Sequence, residues 1–304
     1  MLVFFGTSPR SAKFLELAIQ NGLKVDLVVS DPPKPFGKKQ ILTENLTISL
    51  AKKFSLPFVS NLSDLRDLSN LSLGLILDYN KIIPNEIINL FDKGIINIHF
   101  SKLPQYRGPA PVQYTILNGD RQAWITYFLI NENVDAGPII GQTSLPLDLT
   151  ETTKDLYQKL IAKAASETSK IICGRISKWK LSPQIDKPSY TQKLTTENCQ
   201  IDLSKPAEQI ERLIRAAHPE PGAWTSVEIP ASPAGGRSQS AEIKKVLRLK
   251  ILSAHLDQGK LVLDMVQLEG KNPVTWKQFT EGYPEAEISR NETDLSRGKN
   301  SVLI

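Results

Sequence analysis

Two cysteines and three histidines in 304 residues leave little material for disulfide or metal chemistry. Cys173 and Cys199 form no metal or redox spacing, so they read as isolated thiols of a reducing compartment, filling core or surface. No stretch approaches the roughly 20 consecutive apolar residues that a membrane-spanning helix needs. The first residues, Met1, Leu2, Val3, Phe4, Phe5 and Gly6, offer neither the charged region and cleavage site of a signal peptide nor an Arg/Ser-rich transit segment. A cytoplasmic protein with no membrane partner is expected. The sequence has no internal repeats. It lacks a G-x-S-x-G elbow, which argues against a serine hydrolase. Gly6, Thr7 and Ser8 do not make a G-x-G-x-x-G fingerprint, so a dinucleotide site is not indicated.

What is present suits two globular domains. Hydrophobic residues make up 40% and charged residues 23%, and the length lets each domain bury its own core. The net charge of +5 permits a nucleic-acid partner without demanding one.

The first ~170 residues alternate strand and helix signals. Apolar runs at 2–5, 25–29, 73–77 and 95–99 read as buried strands, with helices carrying Phe14, Leu15, Ala18 and Ile19, then around 46–54 and 84–91. A long helix is expected over 150–172, striped by Leu156, Leu160, Ile161 and Ala164. Alternation with near-continuous apolar strands predicts an α/β, Rossmann-like, doubly wound and mainly parallel sheet, whose sites lie at the carboxyl ends of strands. Residues 181–203, polar and containing Pro183 and Pro188, read as a linker between a catalytic domain (1–180) and a smaller C-terminal domain (204–304). There Ser204 is the expected N-cap of a helix with Ile210, Leu213, Ile214 and Ala217 on one face. The rest looks all-β, an OB-like barrel. Leu247, Leu249 and Ile251 alternate with Arg248 and Lys250, which leaves those cations, with Lys244 and Lys245 upstream, on the outer face as candidate phosphate contacts.

The informative motif is Asn-x-His-x-Ser-x-Leu-Pro-x-Tyr-Arg-Gly at 97–108, followed by a helix-opening Pro111, Val112 and Gln113, then Asp135, Ala136 and Gly137. Period-2 geometry sets Asn97, His99 and Ser101 on one side at a strand end. An amide donor and an imidazole so spaced can both reach one carbonyl oxygen, which suits a developing oxyanion. Asp135, just before a turn, can orient and charge the imidazole. Each residue alone is more often structural. A lone His is commonly hydrogen-bonded within its fold, and an Asp before Gly is commonly turn chemistry. The ordered combination is what argues for a site.

These motifs resemble the folate-dependent formyltransferases, over nearly the whole chain. On that resemblance Asn97, His99 and Asp135 match the family's catalytic positions, and Ser101, Lys102, Leu103 and Pro104 match the loop against which the folate lies, with Tyr79 nearby. Lys34, Pro35, Phe36, Gly37, Lys38 and Lys39 resemble a shortened basic tRNA-contacting loop, whose Lys38 and Lys39 would meet phosphates. Ser189 to Leu194 and the Arg215 to Trp224 segment resemble the start of the C-terminal domain of the tRNA-acting members. Two places depart from the pattern: Asp78, Tyr79 and Asn80 stand for small residue, Tyr, Gly, and Pro9 and Arg10 replace an acidic–aromatic pair. Asn80 tolerates the left-handed backbone that Gly would supply.

The resemblance implies transfer of the formyl group of 10-formyltetrahydrofolate, a co-substrate, to the α-amine of methionine on initiator methionyl-tRNA by a monomeric enzyme that needs no metal. Asn97 and a protonated His99 would stabilise the oxyanion, each donor typically worth ~3–4 kcal/mol, while Asp135 holds His99 charged and helps move a proton off the amine through water. A glycinamide ribonucleotide formyltransferase would lack the last ~100 residues. An amino-sugar-nucleotide formyltransferase and an inactive tRNA-binding protein are the competing readings; the intact triad argues against the second.

Overall fold

A computed structural model describes residues 1–36, 40–173, 179–230 and 244–288. Two compact units emerge. The first takes in Met1–Val112, Arg121–Leu147 and Asp155–Gln192; the second takes in Gln113–Asp120, Asp148–Lys154 and the chain from Lys193 onward.

The first unit follows its apolar runs. In chain order it has β1 (Leu2–Phe5), α1 (Pro9–Gln20), β2 (Leu27–Val29), β3 (Lys34–Phe36), β4 (Ile41–Thr43), α2 (Leu46–Lys53), β5 (Phe58–Val59), β6 (Leu73–Ile76), α3 (Asn85–Ile88), β7 (Ile95–His99), α4 (Pro111–Leu117), β8 (Gln122–Leu129), β9 (Ile139–Pro146) and α5 (Thr153–Cys173). Helices α4 and α5 each contribute residues to both units. The seven-stranded sheet has the order β5-β2-β1-β6-β7-β8-β9. Strands β5 to β7 of that order run parallel, and β8 and β9 are antiparallel additions at one edge. β1 is buried almost throughout because both sheet faces are covered. Val3 and Phe5 pack with Leu27, Ile76 and Ile87 on one face. Phe4 stacks on Phe14 of α1 on the other, with ring centroids 5.8 Å apart.

The chain runs outward from β1 through β2 to β5, then returns to β6 on β1's other side. The crevice between the carboxyl ends of β1 and β6 is therefore the topological switch point, where such sheets hold ligands. Ser8 starts α1 there, accepting from Arg10 N and Ser11 N in a capping box. The helix expected around 84–91 is confined to the four residues of α3.

The second unit has α6 (Ala207–Ala217), β10 (Ala223–Pro230), β11 (Lys244–Asp257), β12 (Lys260–Leu268), β13 (Val274–Thr275), α7 (Trp276–Gly282) and β14 (Glu287–Ile288). Its antiparallel sheet has the order β13-β12-β11-β10-β14, with a bulge in β11 after Ile251. Among the described residues no pairing joins the two edge strands. Ile210, Ile214 and Ala217 of α6 share one core with Val227, Leu249, Ile251, Leu263 and Val266. The expected cap is corrected: Pro206 occupies the N-cap with no side-chain bond, and Ser204 instead donates its hydroxyl to Asp202 at 2.6 Å. Proline fixes φ and lacks an N–H, so it opens a helix that the Ser204 turn only approaches. Cys199 sits fully buried in this core, where burial pushes its thiol up to about 11, consistent with a filler.

Residues 182–191 pair with the first unit rather than hanging free. Ser182 bridges Ile139, and Tyr190 bridges Arg107.

Candidate active site

β7 carries Asn97 and His99 to the carboxyl end of the sheet, parallel to β6 through the Ile76–Asn97 register and antiparallel to β8 through His99–Thr126. His99 is 7% exposed. Its Nε2 lies 2.9 Å from the Tyr106 carbonyl oxygen, which can only accept, so Nε2 carries a hydrogen. Its Nδ1 lies 3.8 Å from Asp135 Oδ2, an ion-pair distance rather than a hydrogen bond. Asp135 Oδ2 accepts from Gly108 N at 2.8 Å, which ties the carboxylate to the loop that follows His99. Asp135 itself adopts a left-handed backbone, φ 51°. Among the described residues nothing hydrogen-bonds the half-buried Asn97 amide, which leaves its N–H groups open to a ligand. The expected trio is thus brought together, with the difference that both ring nitrogens of His99 already face protein oxygens.

The loop after β7 is braced from several sides. The Ser101 hydroxyl donates to Gln105 O at 2.6 Å and is buried, so it fastens the loop rather than facing solvent. Thr126 Oγ1 donates to Ser101 O at 2.6 Å and accepts from Leu103 N, while Gln142 Nε2 donates to Leu103 O at 3.0 Å. Leu103 is buried, a cis peptide joins it to Pro104, and Lys102 Nζ sits 4.7 Å over the Trp124 ring. Of the four candidate folate residues here, Ser101, Leu103 and Pro104 are buried and Lys102 is exposed.

Tyr79 sits across the switch point. It packs edge-on against Phe5 and its phenol oxygen is buried with no hydrogen-bond partner among the described residues. Burial, helped by the Asp31 charge, pushes this phenol up to about 12. Asp31 is buried at the end of β2. Burial alone would raise its pKa, but Lys34, Lys81 and Asn80 outweigh that and hold it at about 2.

The two departures from the motif turn out to be one feature. Arg10 Nε pairs with Asp78 Oδ2 at 2.7 Å, Ser8 Oγ also donates to that oxygen, and the guanidinium lies 4.3 Å over the Tyr157 ring. The left-handed residue in this turn is Asp78, φ 54°, not Asn80. Asp tolerates that region because its short polar side chain satisfies the turn, here through Ser8 and Arg10. Both partners are over a third exposed, so the pair itself is worth little more than ~0.5–1 kcal/mol. Arg10→Ala, Asp78→Ala and the double change, compared by chemical denaturation, should reveal a coupling of about that size. Strictly additive losses would mean the pair is incidental.

The cations expected to grip phosphates are mostly engaged. Lys244 pairs with Glu287 at 2.8 Å and Glu228 at 3.4 Å, Arg248 lies 4.2 Å over the Trp224 ring, and Lys250 donates to Pro221 O at 3.1 Å. They do lie off the core as alternation predicts, yet neighbours on the same sheet and in the turn before β10 take them up. Lys245 is exposed. Lys38 and Lys39 lie outside the described residues, as does the Cys173 side chain.

Among the described residues no cluster of three or more His, Cys, Asp or Glu side chains could hold a metal. A cavity of about 290 Å³ lined by Tyr127, Gln142, Lys170 and Trp179 includes none of the candidate site residues.

Sequence reasoning missed Gln184. Its Nε2 donates to Asp135 O at 3.0 Å and to Gly137 O at 2.8 Å, while Arg107 donates to its Oε1 through Nε and Nη2. Nothing in local spacing signals a residue that acts 49 positions away.

The family model "Formyl transferase" matches residues 1–171, and "Formyl transferase, C-terminal domain" matches 193–284. A methionyl-tRNA formyltransferase of Roseobacter denitrificans is 30% identical over 291 residues, covering 92% of this chain and 95% of the relative. One from Latilactobacillus sakei is 34% identical over 235 residues, 74% of each chain. Among solved structures, methionyl-tRNA formyltransferase from Clostridium thermocellum superposes with TM-score 0.57 at 18% identity, covering 88% of this chain and 98% of that one. An N-formyltransferase from Helicobacter canadensis, solved with folinic acid and dTDP-3-aminofucose, gives TM-score 0.57 at 20% identity, covering 90% and 98%. At such identities the structures speak to fold alone.

Proposed function

The chain belongs to the formyl transferase family, and from that premise we propose that it transfers the formyl group of 10-formyltetrahydrofolate to the α-amine of methionine on initiator methionyl-tRNA. The observation that carries this reading is the near full-length similarity to methionyl-tRNA formyltransferases, which spans both matched domains. The site has the chemistry the reaction asks for. The neutral amine attacks the formyl carbon, and charge develops on the formyl oxygen. The open Asn97 amide is the direct donor to that oxygen, since none of the described residues hydrogen-bonds it. His99 donates Nε2–H to Tyr106 O, so its Nδ1 meets the Asp135 carboxylate favourably only as N–H, in the imidazolium form. The imidazolium then lowers the energy of the oxyanion through its charge. A direct N–H to the reacting oxygen requires displacement of the Tyr106 carbonyl. Asp135 compensates the imidazolium and receives, through water, the proton that the amine sheds; the bond from the formyl carbon to N10 then breaks, and N10 takes up a proton as tetrahydrofolate leaves.

Tyr79 and the loop from Ser101 to Pro104 border the folate in this reading, and Lys38, Lys39 and Lys245 are the remaining candidates for phosphate contact. We place the protein in the cytoplasm as a monomer. No helix among the described residues is long and apolar enough to cross a membrane. The decisive assay incubates purified protein with 10-formyltetrahydrofolate and either charged initiator tRNA or an amino-sugar nucleotide, and weighs the products. A gain of one formyl group on the aminoacyl-tRNA is expected. Formylation of the sugar nucleotide alone would replace this reading with the other.

A further inference from the structure

The segment 182–191 looks like a tether in the sequence, yet it supplies a bracket for the reacting groups. Gln184 spends both amide hydrogens on the carbonyls of Asp135 and Gly137, on either side of Ala136 in one tight turn. Its own oxygen is gripped by two nitrogens of Arg107, at 3.2 and 2.7 Å. Arg107 belongs to the loop that also presents the Tyr106 carbonyl to His99 Nε2 and Gly108 N to the Asp135 carboxylate. Tyr106 N in turn donates to Ser189 Oγ at 2.8 Å, and Thr191 N to Arg107 O at 2.7 Å. One side chain thus ties the turn bearing Asp135 to the loop that orients His99, and the geometry of both depends on where its amide points.

We propose that Gln184, held by Arg107, is a positioning residue that sets Asp135 against His99. This rests on the reading of those two residues as the reacting pair. The amide is chemically required. A glutamate has nearly the same shape and still accepts from Arg107, but it presents an oxygen to two carbonyl oxygens where the amide presents hydrogens. The turn must then shift away, and Asp135 with it.

The test uses the full chain and four proteins: parent, Gln184→Glu, Asp135→Asn and the double variant. In the parent background Gln184→Glu should lower turnover on the order of 10²-fold, the cost of a misplacement of about 1 Å at a reacting group, with the KM for folate within roughly twofold. In the Asp135→Asn background the same change should cost roughly threefold or less, because the group it positions is already disabled. The ring-proton resonances of His99, read by NMR without substrate, should move in Gln184→Glu. Thermal melts of all four guard against loss of fold, and Gln184→Asn, which keeps the amide on a shorter stem, should recover part of the turnover. Equal losses in both backgrounds, or unmoved His99 resonances in Gln184→Glu, would overturn the assignment. Because the NMR arm uses no substrate, failure to formylate tRNA would count against the proposed reaction and leave this inference to be judged on the resonances.

Discussion

His99→Ala and Asp135→Asn should each lower turnover by roughly 100-fold or more, with the double variant little worse than the poorer single one. The expectation follows from the geometry. With Nε2–H committed to the Tyr106 carbonyl, the ring's second nitrogen faces Asp135 Oδ2 at 3.8 Å. Replacing the carboxylate by an amide keeps an oxygen that can accept from Gly108 N, so the turn retains its shape. It removes the negative charge that balances an imidazolium. The catalytic loss is then electrostatic, of the size typical for one oxyanion-stabilising group. Once the imidazolium is lost, removing the ring altogether takes away little more. Single-turnover rates at saturating folate measure this without interference from product release. Losses that multiply would mean that His99 and Asp135 act on different steps, and the site would need another arrangement of acid and base.

What the sequence made legible was local. β1 and β7 coincide with the predicted 2–5 and 95–99 to the residue, because each strand's extent is set by its own run of mostly apolar residues. Asn97 and His99 were readable for the same reason: two residues apart on one strand, they share a face whatever surrounds them. Pairing across the chain was not readable. Nothing in spacing couples Arg10 to Asp78, 68 residues on, or Gln184 to Asp135, 49 back, although the two oddities near the switch point were each visible as departures. The outer-face cations illustrate the opposite error. Alternation correctly put Arg248 and Lys250 off the core, but a free charge cannot be inferred from period alone when Trp224 and Pro221 O lie on the neighbouring strand and turn. Ser101 was assigned by its place in a motif, and its hydroxyl is used within the loop. Where a residue's role depends on a partner far away in sequence, only the fold discloses it.

Gly137→Ala should be among the most damaging single-methyl changes in the chain. The left-handed position of this Asp-x-Gly turn is taken by Asp135, φ 51°, not by the glycine. Gly137 is required for a different reason. A Cβ there would stand 1.7 Å from the Leu129 carbonyl oxygen and 2.9 Å from its carbon. Neither side can yield cheaply. Leu129 is registered against Ile96 of β7, and its N–H donates to Pro138 O at 3.0 Å, so β8 and the turn are already bonded at the point of collision. The turn must move, which breaks the bond from Gln184 to Gly137 O and carries Asp135 away from His99. A stability loss of about 3 kcal/mol, the upper end for overpacking, is expected, together with a fall in turnover on the order of 10²-fold or more. Gly141→Ala is the control, because a Cβ there meets nothing within 4 Å. Denaturant titration gives the stability term and single-turnover kinetics the catalytic one. Parental values for both in Gly137→Ala would mean that the turn has room to rearrange, and the close approach to Leu129 would then set neither the fold nor the position of Asp135.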